Sequence, residues 1–353
     1  MRSHALQGGS PLHSFLMKSS NVMAVTQRSP PVGVRLSVEV VLCTFNGASF
    51  LAEQLSSILS QTHAVDQISV YDDGSSDDTA ERATSCLAGA EGIAVNIFRN
   101  QCNLGYALNF AQGLERARSD VVLLCDQEDI WEPTKVERLL RALDRPGCML
   151  AFCDGRPVDA TGQFIPGPSV LRGYGLDRAQ AAAFDRCAWS LLLRRNFING
   201  AAMALRRVEA QKALPIPDGF PHDYWLALWL ARPGAVVCVD EPLYRYRLHG
   251  ANIIGARHSA LHHQLRSIWR APALPRQAEL RRALVLRSRL AADDPRIVEV
   301  DAKLRWLSNV VQQPHRLRRL TSIALSLLRG DYRRLGSPYA AQRDIVAAFK
   351  VTS

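Results

Sequence analysis

Asp126, Glu128 and Asp129 place three carboxylates within four positions, immediately after the strand-forming run 121–124. The carboxyl end of a strand is where an open α/β sheet presents groups to a ligand. Like charges this close do not all ionise comfortably without a cation. Hard oxygen donors suit Mg²⁺ or Mn²⁺, which keep waters and also bind phosphate oxygens. Cys125-Asp126-Gln127-Glu128-Asp129-Ile130-Trp131 therefore predicts a metal–diphosphate site; the plainer alternative is a solvated acidic turn. Asp129 could instead cap the helix that follows Pro133, and Trp131 reads as a packing anchor.

Two earlier strand ends carry short polar residues, Thr44-Phe45-Asn46-Gly47 and Asp72-Asp73-Gly74-Ser75. In a parallel sheet such ends converge on one edge and line one cleft. Asp72 can accept from a nucleobase imide or a ribose hydroxyl, and Thr44 and Asn46 offer donors and acceptors to the same base. Ordinary turn chemistry explains either segment taken singly. Asn103-Leu104-Gly105-Tyr106, with Asn109 after it, lies where a loop enters a helix, so Asn103 and Gly105 could meet a nucleotide or its phosphates. In His222-Asp223-Tyr224-Trp225, Asp223 is either an N-cap or, if it faces the cleft, a general base for an alcohol. In Tyr244-Arg245-Tyr246-Arg247-Leu248-His249, Arg245 and Arg247 could neutralise a diphosphate and His249 could add a nitrogen ligand to the metal. The alternative there is an exposed strand face with solvated arginines.

The elements that must position these groups alternate. Strand-like runs at 38–44, 67–71, 93–99 and 120–126 are separated by helix-like runs at 49–61, 77–87 and 106–117, which predicts a parallel sheet covered by helices. Further on the pattern is less regular, with a helix at 134–143, a strand at 149–158, loops over 160–185, strands at 197–205 and 235–239, and a short helix at 223–231. At 353 residues and 47% hydrophobic composition, one large domain with an appendage is expected. No apolar stretch reaches the roughly 18–20 residues of a membrane span. Residues 1–37 lack a signal-peptide core and read as a disordered leader, with Met17 and Met23 as alternative starts. The eight cysteines are scattered without a CxxC pair, the pattern of reduced cytosolic thiols.

The net charge of +10 is uneven: residues 256–353 carry 19 Lys/Arg against 7 Asp/Glu. That shift marks a boundary near Gly255. The tail reads as helical, broken at Pro272, Pro275, Pro295 and Pro314. Leu317, Leu320, Ile323, Ala324, Leu327 and Leu328 recur at helical spacing among Arg316, Arg318, Arg319 and Arg329. Such a helix either lies on anionic lipid or caps the main domain with a solvated basic face. Charge alone would permit nucleic acid, but no recognition motif supports it.

In order, Cys-Thr-Phe-Asn-Gly, Asp-Asp-Gly-Ser-Ser-Asp, Asn-Leu-Gly-Tyr, Cys-Asp-Gln-Glu-Asp-Ile-Trp and Arg-Leu-His-Gly-Ala-Asn resemble glycosyltransferase family two over residues 38–255. They look closest to its rhamnosyltransferase-like branch, which builds bacterial surface polysaccharides. The resemblance implies a GT-A fold, an α/β nucleotide-binding half fused to an acceptor-binding half, here with residues 256–353 as a basic helical C-terminal extension. It implies that Asp72, Thr44 and Asn46 hold the base, that Asp126 meets the ribose or the metal, and that Glu128 meets the metal. The branch usually has Asp at that third position. By the same resemblance Asp223 is the catalytic base, and Asn199 and Gly200, where Thr-Gly is frequent, face the acceptor with Tyr224 and Trp225 beside them.

The expectation is an inverting hexosyltransferase, with rhamnose among the candidate sugars. It would move a sugar from a nucleoside-diphosphate donor to a glycan or lipid-linked acceptor, in the cytoplasm or on the inner face of the membrane. Two other readings stay open. A catalytically silent sugar-nucleotide or glycan-binding module is favoured by Glu128. A nucleotidyltransferase would more often carry a cationic Gly-rich loop near its first strand, and residues 43–50 have no Lys or Arg.

Overall fold

A computed structural model describes residues 35–232, 234–248, 274–311, 316–336 and 340–350. The leader with Met17 and Met23, His249, the boundary near Gly255, Pro272 and Pro314 lie outside the described residues.

The first half runs β1 (Val38–Thr44), α1 (Ala48–Leu59), β2 (Gln67–Asp72), α2 (Thr79–Leu87), β3 (Ala94–Arg99), α3 (Tyr106–Arg116) and β4 (Val121–Asp126). It continues through β5 (Ile130–Trp131), α4 (Lys135–Leu143), β6 (Cys148–Val158), α5 (Val170–Gly173), α6 (Arg178–Ala182) and α7 (Phe184–Arg194). After a 3₁₀ turn at Gly200–Ala202 come β7 (Met203–Arg206), α8 (Arg207–Gln211), α9 (His222–Leu230) and β8 (Ala235–Arg247). The C-terminal helices are α10 (Leu274–Arg289), α11 (Ile297–Val311), α12 (Arg316–Leu328), α13 (Asp331–Leu335) and α14 (Ala340–Lys350).

The eight strands among the described residues join one mixed sheet in the order β3-β2-β1-β4-β7-β6-β8-β5. β1 to β4 pair in parallel, and β7 runs antiparallel between β4 and β6. The β1 side chains explain why this strand is central. Val41 and Cys43 enter one apolar cluster with Tyr71, Phe110 and Trp225, while Val38, Val40 and Leu42 enter a second with Leu51, Leu55 and Ile68. Alternate residues of a strand point to opposite faces, so a strand that is apolar on both, with Glu39 its one charged residue and itself buried, must be covered on both. Each fully buried Val or Leu contributes about 1.5–3 kcal/mol. The same register aligns the chemistry, because Thr44 stands opposite Asp72 and Cys43 opposite Asp126.

Several expectations shift. Residues 160–185, read as loops, contain α5 and α6, and α7 (Phe184–Arg194) was not expected. Its Ala188, Leu191 and Leu192 face the core, but its polar residues blur the helical period. The strand at 235–239 extends to Arg247 as β8, pairing with β6 through register shifts. Pro275 does not break a helix; it lies within α10.

Leu286 of α10, Leu290 just after it and Val300 of α11 share the apolar cluster of α7 and α9, while Leu280, Trp306, Leu307 and Ile323 form a smaller one. A buried ion cluster fixes this end. Arg276 forks onto Asp344 at 2.9 and 3.0 Å, Lys303 meets Glu279 at 2.8 Å, and the Tyr332 hydroxyl donates to Asp344 at 2.8 Å. The helical stripe expected at 317–328 divides. Ile323 turns inward, whereas Leu317 and Leu328 are 78% and 84% exposed.

Candidate active site

The β2 end is preorganised by hydrogen bonds. Asp72 is fully buried and accepts from Thr44 Oγ1 at 3.1 Å, from the Ser75 amide at 3.1 Å and from the Ser75 hydroxyl, with the Arg99 guanidinium 3.5 Å away. Asn46 adopts the left-handed conformation, φ 49°, that Asn tolerates better than most residues. Its amide donates to Ser75 Oγ at 2.9 Å and its Oδ1 accepts from Ser76 N at 2.8 Å, so two of the predicted base-binding strand ends are tied together. Gln127 ties in the third: its Oε1 accepts from Phe45 N at 2.8 Å, and its Nε2 donates to Phe45 O at 3.1 Å.

Asp73, which sequence reasoning passed over, holds the loop containing Asn103 and Gly105. Its carboxylate accepts from Leu104 N and Gly105 N, each at 2.9 Å, and from Asn100 Nδ2 at 2.8 Å. Asn103 Oδ1 also accepts from Gly105 N at 3.0 Å. Gly105 has φ +83°, a conformation L side chains rarely adopt, so glycine is required where the loop turns into α3. The second aspartate of Asp-Asp-Gly-Ser was the available signal for this clamp.

The acidic turn leaves β4 beside these loops. Burial, then Glu128 and then Asp223 push the Asp126 carboxyl up to about 8. Burial and the charges of Asp126 and Glu128 drive Asp129 up as well; its Oδ1 accepts from Arg247 N at 3.2 Å, and its buried Oδ2 has no hydrogen-bond partner among the described residues. Below the turn lies another residue that the sequence did not flag, the fully buried Lys135. Its ammonium donates to Ala201 O at 2.6 Å and sits 3.9 Å from the centre of the Trp131 ring. Burial lowers the Lys135 pKa, while the nearby acidic groups oppose that shift. Trp131 is indeed a packing anchor.

Arg247 requires a correction. Its side chain is 2% exposed, Nε donates to Glu128 O at 2.8 Å, Nη1 to Ala160 O at 2.9 Å, and Nη2 pairs with Glu53. A guanidinium fully engaged by protein acceptors shapes the acidic turn and is not displayed to a diphosphate. Arg245 pairs with Glu132 at 3.0 Å.

The residues present suit a hard divalent cation in part. Asp126 and Glu128 bring mutually repelling oxygens to one place, and a dication would relieve that repulsion. Among the described residues no group of three His, Cys, Asp or Glu forms a ready-made cage. Such a pair matches an ion that completes its shell with waters and substrate phosphates.

Asp223, in the first turn of α9, reaches the same cleft: its charge acts on Asp126, Tyr174 and Tyr106. Burial raises Asp223 to about 6, against the pull of hydrogen bonds from the Tyr224 and Gly200 backbone and the Asn196 side chain. Asn199 Oδ1 accepts from Ala201 N at 2.9 Å, and its side chain is also hydrogen-bonded to Tyr174. Gly200 is needed for space, because a Cβ there would stand 2.3 Å from His222 Nε2. His222 is buried, stacks on Phe110 at 4.2 Å, and is held neutral, its pKa lowered by burial to about 3.

Tyr224 and Trp225 leave the acceptor set. The Tyr224 hydroxyl donates to Leu192 O at 2.9 Å, and the fully buried Trp225 donates through Nε1 to Ala213 O at 2.7 Å. Both look inward because α9 is apolar nearly all round. Tyr174 and Tyr246, not singled out from sequence, stand among these acids, whose charges add to burial in raising both hydroxyls.

Residues 39–199 match the sequence model of the family described as "Glycosyl transferase family 2". The chain is 28% identical over 226 residues to an uncharacterized glycosyltransferase of Nostoc sp., covering 62% of this chain and 66% of that protein. It is 28% identical over 141 residues to the putative teichuronic acid biosynthesis glycosyltransferase TuaG of Bacillus subtilis, covering 38% of this chain and 54% of that one. Across the first curated relatives, the alignments span 60% to 66% of those proteins' own length. Among solved structures, the mannosyltransferase PcManGT from Pyrobaculum calidifontis, in complex with GDP-Man and Mn²⁺, superposes with a TM-score of 0.58 at 18% identity, covering 90% of this chain and 87% of that one. The fold is GT-A, with helices added at the C-terminus.

Proposed function

We propose that this chain, with its family 2 match at residues 39–199, is a glycosyltransferase that moves a sugar from a nucleoside-diphosphate donor to a hydroxyl acceptor. The observation that carries the reading is the meeting of Asp223 with the acidic turn, since the charge of Asp223 helps to raise Asp126. A transferase needs both parts: one to stabilise a departing diphosphate, one to take the acceptor proton.

In this reading the Asp72, Thr44 and Asn46 strand ends, with the Asp73-clamped loop, receive the nucleoside. Asp126 and Glu128 would hold the divalent ion. When bound, that ion supplies Lewis-acid neutralisation of the leaving diphosphate. Asp223 accepts the acceptor hydroxyl's proton as the oxygen attacks the anomeric carbon from the face opposite the departing phosphate oxygen, which inverts the configuration. Asn199, Gly200 and Tyr174 orient the acceptor. A rhamnosyl donor and a surface-polysaccharide acceptor are the finer form of this reading, supported by the motif set and by the likeness to TuaG, whose name places it in teichuronic acid synthesis. The chain works at the inner membrane face in this reading: Leu317 and Leu328 are exposed on α12, with Arg318 and Arg329 nearby in sequence. No helix among the described residues is long and apolar enough to cross a membrane.

Thermal-shift titration with UDP-, GDP- and dTDP-sugars tests the donor, run with Mg²⁺, Mn²⁺ and EDTA. Metal-dependent stabilisation by one nucleotide class is expected; no shift with any of them would overturn the reading. Glu128, longer by one methylene than the Asp usual there, favours a second reading, a sugar-nucleotide-binding module without turnover. Calorimetric binding with neither transfer nor hydrolysis would select it.

A further inference from the structure

A separate concavity opens where the end of β6 and the middle of β8 meet the segment that carries α5 and α6. It has a volume of about 740 Å³, and Pro157, Pro166, Pro168 and Pro242 are among its walls. That volume lies within the range of small-ligand sites, and proline-rich walls keep a site open at little entropic cost. Three arginines face it: Arg156, Arg172 and Arg178.

The two acids in its wall are already engaged. Asp154 accepts from Gly155 N at 2.8 Å and from Leu171 N at 2.9 Å, while Asp240 pairs with Arg172. Arg156 and Arg178 have no carboxylate partner among the described residues. Phe164, 52% exposed in the same wall, lies 5.7 Å from the Arg156 guanidinium and 5.5 Å from that of Arg245. An aromatic ring at that range holds a guanidinium in place without neutralising it. The cavity thus keeps two uncompensated, forked donors, the geometry that recognises carboxylate or phosphate oxygens.

Its position relates it to the transfer site. Arg172 lines the cavity, and its guanidinium also bonds Leu176 O, bracketing Tyr174. The Tyr174 hydroxyl is hydrogen-bonded to Asn199 and lies in the field of Asp223 and Asp126. Arg247, which also bonds the acidic turn at Glu128 O, holds Ala160 O, so the segment that lines the cavity is tied to the acidic turn as well.

We propose that this cavity binds an oxyanion-bearing sugar of an extended acceptor, a uronate carboxylate or a sugar phosphate, while another hydroxyl of that acceptor lies at Asp223. The assignment to the acceptor rests on the transferase reading; the anion site itself does not. The test is calorimetric titration of the intact protein with a glucuronate-containing oligosaccharide, with glucose 1-phosphate, with inorganic phosphate and with a neutral oligosaccharide of equal length. Parallel titrations use UDP and GDP. Saturable binding of the glucuronate oligosaccharide or the sugar phosphate is expected, and which one binds identifies the source of the anion. Arg156→Ala with Arg178→Ala should weaken it at least tenfold and leave nucleotide binding unchanged. Equal binding of the neutral oligosaccharide, inorganic phosphate binding as tightly as the sugar anions, no binding at all, or indifference to the arginine substitutions would each overturn it. Loss of every nucleotide signal with the sugar anion still bound would instead overturn the transferase reading.

Discussion

The carboxyl of Asp126 is held at about 8 by burial first, then by Glu128, and then by Asp223, which arrives from α9 in the other half of the sheet. A helix start far away in sequence thus acts on the ionisation of a strand end. The arrangement is strained in charge, and strain of this kind concentrates where a cation and a substrate are to be received.

The first consequence is a pH dependence. Burial raises Asp223 to about 6, so a base that must be ionised is lost as the pH falls through that value. The kcat/KM of sugar transfer should fall about tenfold per pH unit below about 6 and level off above it. A profile of initial rates between pH 5 and 9 checks this; a flat profile through 6 removes Asp223 from the proton transfer.

A stability prediction follows with the opposite sign. The folded Asp223 holds its proton to about 6, against an ordinary 3.8, so its ionisation opposes folding. The penalty is absent below the ordinary value, grows between the two values, and is complete above the folded one. Asp223→Asn should therefore stabilise the protein at pH 7.5 by about 1–3 kcal/mol and leave it unchanged near pH 3.5. Denaturant melts at the two pH values provide the comparison.

Asp73 is buried and satisfies two backbone amides and one side-chain amide of the 100–105 loop. Asp73→Ala leaves the Leu104 amide without its acceptor, at about 1–3 kcal/mol if it stays buried, and takes one of two acceptors from the Gly105 amide and from Asn100 Nδ2. The expected result is a lower Tm, with nucleotide affinity weakened about tenfold. Unchanged nucleotide affinity would show that the loop does not contribute to the donor site.

Lys135→Met removes a buried positive charge beneath the acidic turn, together with the bond to Ala201 O. Unbalancing a buried charge cluster costs about 3–5 kcal/mol. In urea melts the variant should unfold well before the wild type, and excess Mn²⁺ should restore part of the difference by supplying positive charge. Equal midpoints with and without metal would contradict the role given to Lys135.

Much of the nucleotide half was legible because β1, β2 and β4 are mostly apolar runs that end in clusters of short polar residues, and strand ends in a parallel sheet share an edge. The acceptor half was less so. Tyr224 and Trp225 share a segment with Asp223, yet both turn inward, because an all-apolar helix has no period to show which face meets solvent. Arg247 looked like a free cation; only the fold reveals that Glu53, Glu128 and Ala160 converge on it. Lys135 and Tyr174 carry no motif, since their roles come from tertiary burial beside the acids.

The most direct measurement compares Asp223→Asn with wild type for sugar transfer from the stabilising nucleotide sugar to a glycan and lipid extract of the source cells, with donor affinity measured on the same samples. Donor affinity should be unchanged, with transfer slowed at least about 100-fold. Transfer at the wild-type rate with donor bound would contradict the assignment of Asp223 and the acidic turn to one transfer site.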